Sequence, residues 1–255
     1  MNTDRSQLFF TAWKKLIGIY AISLAVSLIG GFLLVQVWHV RPERIFELSS
    51  KRLSYALPVL DMGNRHGIDM GLLLFVWNAM GALITLCFIY AAGLFDPDRA
   101  ASPPKGLRRI FRGTARMKLL CYLPGCARIE AEPVRRLYVW LMVPLLGMML
   151  LGLESGFQVS TAAFLFGSFY SAFVALLPHG VIEIPCLALA GAVPYSAHLL
   201  VGRQARTRRP RAVFRQIAHH RKGLPVMKIA AAVIAGLLLA GWIEAHVTPL
   251  LSAHG

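Results

Sequence analysis

The apolar residues of this chain form long, nearly unbroken blocks, and this pattern limits the possible folds more than any other feature. Hydrophobic residues make up 56% of the 255 residues, and the mean hydropathy is +0.58. Helices that cover the core of a soluble protein show periodic apolar stripes instead, whereas about 20 apolar residues in a row are enough for a helix to cross a bilayer. We therefore predict an all-α fold, a polytopic bundle of transmembrane helices.

The blocks define about five or six membrane segments within a single membrane domain, residues 1–255. The first block has no small-residue cleavage site after it, so we expect a retained span rather than a cleaved signal peptide. After this block, Arg41-Pro42-Glu43 predicts the start of a short helix on the membrane surface, because proline suits the first turn of a helix. The predicted segments are 16–38, 70–93, 137–153, 157–177, 178–202 and 226–247.

Positive charge is concentrated in two polar connections. The chain has 27 Lys and Arg residues against 12 Asp and Glu residues, a net charge of +15. Residues 94–137 hold ten of the basic side chains and residues 203–225 hold eight. Because basic loops remain in the cytoplasm, we place both connections and the N-terminus on the cytoplasmic side of the inner membrane. We expect a basic amphipathic helix within 94–137, and anionic lipid headgroups as partners of both connections.

One segment combines lipid-like sequence with polar groups and prolines. Residues 177–186 read LPHGVIEIPC, which sets His179 and Glu183 among apolar neighbours. A charged side chain at membrane depth costs roughly 2.5 to 3.5 kcal/mol, so it requires a partner or a purpose. Prolines at positions 178, 185 and 194 remove amide donors and favour a broken helix. We therefore predict that 178–202 is a broken or re-entrant segment inside the bundle.

The two basic connections also limit the number of crossings between them. Both lie on the same side only if an even number of full crossings separates them, yet three apolar blocks stand between them. One block must then be an incomplete crossing. The first alternative is 178–202, as a re-entrant pair of half-helices; the second is 137–153, which is short and contains Pro144.

These alternatives differ in which polar side chains can meet. In the first, His179 lies near the cytoplasmic side, about 30 Å from Glu244, which the last span places at the outer face. In the second, His179, Glu183, Glu244 and His246 can converge at the outer face.

Two runs of residues carry a resemblance to a known family. They are the Pro-His-Gly-x-x-Glu signature with the small residues Ala190-Gly191-Ala192 behind it, and the stretch around Glu244 near the C-terminus. Over about residues 160–250, which include these runs, the chain resembles the stage II sporulation protein M family of integral membrane proteins. Relative to that family, residues 94–137 look like an insertion. The resemblance implies a polytopic membrane component for which no reaction of its own is established. The family members that act in sporulation are similar to scaffolds that hold peptidoglycan-degrading enzymes. The signature positions map onto His179, Gly180, Glu183, Pro185 and Glu244.

Six residues are therefore the candidates for function. The asparagine among them lies inside the second span, where an amide usually serves contacts between helices. His179 and Glu183 are four residues apart and share one face of a helix, which suits a metal pair, a proton relay or a purely structural role. Two such ligands fall short of the three or four that zinc needs, so we predict no metal site. The candidates are His179, Gly180, Glu183, Pro185, Glu244 and Asn78.

Three classes of function remain open. We expect no enzyme, no catalytic residue and no cofactor, because the chain has no HExxH, no Gly-x-Ser-x-Gly and no phosphate-binding glycine loop. The first class is a membrane scaffold or assembly component of an envelope or cell-wall complex, with protein partners in the membrane or envelope and with oligomers allowed. The second is a permease-like transporter subunit that uses a broken helix with a buried Glu183. The third is a metal-dependent membrane enzyme.

Nucleic acid is not expected as a partner, because no recognised binding fold or aromatic stacking platform is visible.

Overall fold

The fold is known from a computed structural model that describes residues 3–95, 126, 129–203 and 210–248. Every regular element in these ranges is a helix, so the predicted all-α class is confirmed. Five helical stretches are long and apolar enough to cross a membrane, which confirms a polytopic bundle. These stretches are Arg5–Gln36, Met70–Tyr90, Glu132–Leu165, Gly180–Arg203 and Val226–His246.

Ten helices follow one another along the described ranges, and we number them in chain order. Five long helices form the bundle, and shorter helices lie between them. The bounds are α1 Thr3–Gln36, α2 Pro42–Ser49, α3 Lys51–Ser54, α4 Leu57–Arg65, α5 Met70–Phe95, α6 Glu132–Leu141, α7 Val143–Leu165, α8 Phe169–Arg203, α9 Pro210–Gly223 and α10 Val226–His246.

Helix α8 occupies the centre of the bundle. It packs against α1, α5, α6, α7, α9 and α10, and from Ala188 to His198 almost every residue is buried. Small side chains line this part, among them Ala190, Ala192 and Ala197, which are fully buried. Small residues allow neighbouring helices to approach closely in a membrane, so the composition of α8 explains its central place.

The predicted break at the prolines of this segment is wrong. Helix α8 is continuous from Phe169 to Arg203 with all three prolines inside it, so it does not form a re-entrant pair of half-helices. Proline removes one hydrogen bond of a helix, but surrounding helices can hold the backbone and satisfy its polar groups. One such contact is direct: the indole Nε1 of Trp13 in α1 donates a hydrogen bond to the carbonyl oxygen of Pro185 at 3.2 Å.

The division between 137–153 and 157–177 is also wrong. Helix α7 runs straight through Glu154-Ser155-Gly156, and the chain reverses later, at Gly167, whose φ of 73° suits glycine. The polar tripeptide remains helical because it is covered by other helices. Gly156 packs against the backbone of α1, and Ser155 is buried.

In the described part of the chain, two helical stretches between the two basic connections are long and apolar enough to cross a membrane. One is α6 with α7, which meet at Met142 just before Pro144, and the other is α8. An even number of crossings agrees with both basic connections on one side of the membrane, so neither 178–202 nor 137–153 has to be an incomplete crossing. The predicted amphipathic helix within 94–137 falls mostly on residues outside the described ranges.

The remaining differences concern the ends of elements. Helix α1 begins at Thr3, well before residue 16, because Leu8 and Phe9 are buried in the bundle. The predicted helix start at Pro42 is confirmed, with proline in the first turn of α2. The last span agrees closely with its predicted bounds.

The second basic connection contains a helix that the sequence did not predict. Helix α9 buries Val213, Phe214 and Ile217 and packs on α5, α6 and α8. The ring Nε2 of His220 lies 2.8 Å from Ser196 Oγ of α8, and both side chains are buried. The helix thus closes the end of the bundle at which α8 ends and α10 begins.

Candidate functional site

A polar cavity of about 180 Å³ lies between all five spanning stretches. Three of its lining residues are glutamates, and these come from three different helices, α7, α8 and α10. Polar and ionisable groups inside a membrane bundle are rare and usually functional, so this cavity is the candidate site. Its lining consists of Tyr20, Ser49, Leu74, Trp77, Asn78, Leu151, Glu154, Ser155, Gln158, Gly180, Glu183, Ile184 and Glu244.

Helix α8 contributes two of the predicted candidates. Gly180 and Glu183 are three residues apart, nearly one turn, so both face the cavity. Gly180 lines the cavity with its backbone, since it has no side chain. Glu183 is half-buried and has an interaction partner within the protein.

A close contact between two glycines brings a second carboxylate to the same place. Gly71 of α5 and Gly241 of α10 face each other, and a Cβ atom on either one would lie 2.8 or 2.7 Å from the other's carbonyl oxygen. Only glycine permits this approach of two backbones. One turn beyond Gly241, Glu244 reaches the cavity, and two turns beyond Gly71, Asn78 does so.

The third carboxylate was not among the predicted candidates. Glu154 lies on α7, held against α1 by Gly152 and Gly156, both of which contact the α1 backbone. Ser27 Oγ of α1 also lies 3.2 Å from the carbonyl oxygen of Gly152, and 2.8 Å from the Ser23 carbonyl oxygen of its own helix. The spacing of Leu151, Glu154, Ser155 and Gln158 is that of one helical face, which was the signal available in the sequence.

Helix α2 borders the cavity on one side. Ser49, the last residue of α2, lines the cavity, and Gln158 Nε2 donates a hydrogen bond to the Ser49 carbonyl oxygen at 3.2 Å. Glu244 lies two residues before the end of α10. The cavity therefore lies in the half of the bundle that is distant from α9 and from the two basic connections.

Three residues that the sequence analysis singled out are not among the described residues that line the cavity. Pro185 is absent from the cavity lining and accepts the bond from Trp13. His246 Nε2 lies 3.3 Å from a carboxylate oxygen of Asp69, and its ring stacks on Trp242. The side chain of His179 lies outside what the structure describes.

The first of the two topologies, in which a re-entrant segment keeps its polar residues away from Glu244, is wrong, since α8 is continuous and Glu183 and Glu244 line one cavity. The second topology allowed these two residues to converge. Among the described residues, no group of three or more His, Cys, Asp or Glu side chains is close enough to hold a metal ion. The three carboxylates surround the cavity from different helices, an arrangement that suits a larger ligand with positive charge or several hydrogen-bond donors.

Comparison with known proteins identifies the family. No curated protein and no solved structure matches the chain. The family described as stage II sporulation protein M matches residues 20–249, a much longer range than the 160–250 region that suggested the resemblance. The chain therefore belongs to the stage II sporulation protein M family.

Proposed function

We propose that this chain is a permease-like membrane subunit whose acidic cavity binds a ligand carrying positive charge. The observation that carries the proposal is the convergence of Glu154, Glu183 and Glu244 with Asn78 on one cavity inside the bundle. Each ionised carboxylate at membrane depth costs free energy. A positively charged ligand in the cavity would offset part of this cost, and the proposal assigns no catalytic step to any residue.

The orientation forms part of the proposal. Both basic connections adjoin the same end of the bundle, and basic loops remain in the cytoplasm, so we assign the N-terminus to the cytoplasm and the protein to the inner membrane. The acidic cavity then lies in the outer half of the bundle. Arg215 and Lys222 on the exposed face of α9 are suited to anionic headgroups of the inner leaflet.

A permease requires access to its site from both sides of the membrane at different times. In a background without cysteines, we would introduce Asn78→Cys, since Asn78 lines the cavity. A positively charged, membrane-impermeant thiosulfonate should modify this cysteine both in right-side-out and in inverted vesicles. Cysteines at Ser102, in the first basic connection, and at Asn64, exposed on α4, serve as controls that react from one side each. Modification of Asn78→Cys from the outer side alone, or from neither side, would contradict the permease proposal.

The second candidate is a scaffold or assembly component of an envelope complex, which the resemblance to the sporulation members implies. A shallow apolar groove that is lined by α5 alone favours it, because such a surface can pack against a helix of a membrane partner. Capture of a stoichiometric cell-wall enzyme with the purified chain would support this function. Leu83→Trp, which fills the groove, should then release the partner, whereas Glu183→Gln should retain it. The groove residues are Phe75, Val76, Ala79, Met80, Leu83, Ile84, Cys87, Phe88 and Tyr90.

A further inference from the structure

A second cavity continues from the acidic one. This crevice has a volume of about 330 Å³ and lies between α5, α7 and α8. Trp77, Asn78, Leu151 and Glu183 line both spaces, so the two are contiguous. From Glu183 to Gly191 the crevice follows α8 for roughly 12 Å, at 1.5 Å per residue, toward the end of the bundle that α9 covers.

The character of the lining changes along this direction. Beyond Asn78 and Glu183 the walls are apolar except for one hydroxyl group, and Thr85 Oγ1 already donates a hydrogen bond to Gly81 O within α5 at 2.8 Å. The combined space is thus acidic at one end and hydrocarbon-like at the other. The crevice walls beyond the shared residues are Met80, Gly81, Ala82, Ile84, Thr85, Val143, Pro144, Gly147, Met148, Leu187 and Gly191.

The crevice is open toward the lipid. Helices α5 and α7 both pack on α8 but barely touch each other, and Met80 and Ile84 on its wall are about half exposed, at 48% and 54%. Glycines keep the space free, since a Cβ atom added at Gly81 or Gly147 would meet no atom within 4 Å. An acyl chain can therefore enter sideways from the bilayer.

We propose that the two cavities form one site for a lipid whose headgroup carries an amine, with the headgroup in the acidic cavity and an acyl chain in the crevice. Charge complementarity with Glu154, Glu183 and Glu244 selects the headgroup, because charge-assisted hydrogen bonds are the strong ones. The orientation of the site also fits such a lipid. In the proposed topology the acidic cavity lies in the outer half of the bundle and the crevice leads from it toward the middle of the bilayer, as the headgroup and acyl chain of an outer-leaflet lipid do. The inference rests on the proposed function, for which it names the ligand class.

Trp77 lines both cavities and provides a direct measurement. The full chain in detergent micelles is titrated with phosphatidylethanolamine brominated in its acyl chains, since bromine quenches indole fluorescence at contact. The four other tryptophans add their own quenching, so the signal of Trp77 is the difference between the parent and Trp77→Phe. We expect this difference to saturate, to be reversed by unbrominated phosphatidylethanolamine and to be only weak with brominated phosphatidylglycerol.

Variants test the two ends of the site separately. Glu183→Gln and Glu244→Gln should each weaken the apparent affinity about tenfold, the effect of losing one charge-assisted hydrogen bond. Gly81→Leu should block the crevice while leaving the acids in place. Its matched control is Gly18→Leu, because a Cβ atom at Gly18 also meets nothing within 4 Å and this glycine lines neither cavity.

Three outcomes would overturn the lipid proposal, and they differ in what they leave standing. Equal quenching by both brominated lipids, unaffected by the glutamate variants, would mean non-specific annular lipid only. Free ethanolamine could change the emission of Trp77 in a way that depends on Glu183, while brominated lipid causes no quenching. This result would mean that the cavity binds a small cation and not a lipid, and the proposed function would stand without the lipid. No response to either ligand would remove both the lipid and the cationic ligand of the proposed function.

Discussion

The tight seam between α1 and α7 can be tested with one pair of substitutions in a single helix. A Cβ atom added at Gly156 would meet Ser27 Oγ and the Leu24 carbonyl oxygen of α1 below normal contact distance, and Leu28 N at 2.8 Å. Two of these atoms belong to the α1 backbone, so no side-chain rotation relieves the clash. At Gly147, also in α7, a Cβ atom would meet nothing within 4 Å.

The expected difference in the free energy of unfolding between the two variants comes from the effects that only one of them has. Both Gly156→Ala and Gly147→Ala gain up to about 1 kcal/mol of helix propensity, and this gain cancels in the comparison. Overpacking costs about 1 to 3 kcal/mol. We therefore expect Gly156→Ala to be less stable than Gly147→Ala by about 1 to 3 kcal/mol.

The free energy of unfolding is measured in mixed micelles as the fraction of a denaturing detergent is raised, with helix content followed by circular dichroism. Parent, Gly147→Ala and Gly156→Ala are compared under identical conditions. Equal stability of the two variants would refute the close approach of α1 and α7. It would also remove the basis for Tyr20 and Glu154 lining the same cavity.

Three further predictions use other parts of the bundle. Glu183→Ala should lower the free energy of unfolding by about 1 to 3 kcal/mol because it leaves the interaction partner of Glu183 unsatisfied, while Glu183→Gln should be milder; an alanine variant as stable as the parent would contradict this. Single cysteines at Ser102 and Thr207 should both resist an impermeant maleimide in intact cells, and labelling of either would disprove that the two basic connections are cytoplasmic. Ile217→Asp should undock α9 from the bundle and speed the cleavage of α9 by trypsin in inverted vesicles, because Ile217 is fully buried. The control Gln216→Asp, at an exposed position, should not speed this cleavage. Equal cleavage of the two variants would refute the docking of α9.

Local signals account for the parts of the fold that the sequence predicted well. The last span was predicted at 226–247 and is observed from Val226 to His246, because an uninterrupted apolar run is itself the property that a bilayer selects. The start of α2 at Pro42 rests on a similar local preference, since proline fits the first turn. Neither feature depends on which helices pack together.

The errors concern residues whose conformation depends on their neighbours. Glu154-Ser155-Gly156 looks like a loop when considered alone, but in the structure Gly156 packs on α1 and Glu154 faces a polar cavity. The prolines of α8 are similar, because a proline that would break an isolated helix is tolerated inside a bundle. The presence of Glu244 on the same cavity as Glu183 depends in turn on the contact between Gly71 and Gly241, which no local pattern reveals.

The arrangement of the helices gives the acidic cavity a particular place in the bundle. Helices α1 and α7 form one closely packed pair, α5 and α10 form another, and both pairs pack on α8. Tyr20 and Glu154 reach the cavity from the first pair, Asn78 and Glu244 from the second, and Glu183 from the helix between them. In the proposed function, a positive charge bound there would attract carboxylates of both pairs at once. Movement of one pair against the other around α8 would therefore depend on the ligand while leaving the glycine contacts within each pair intact, and this dependence is what a permease-like subunit requires.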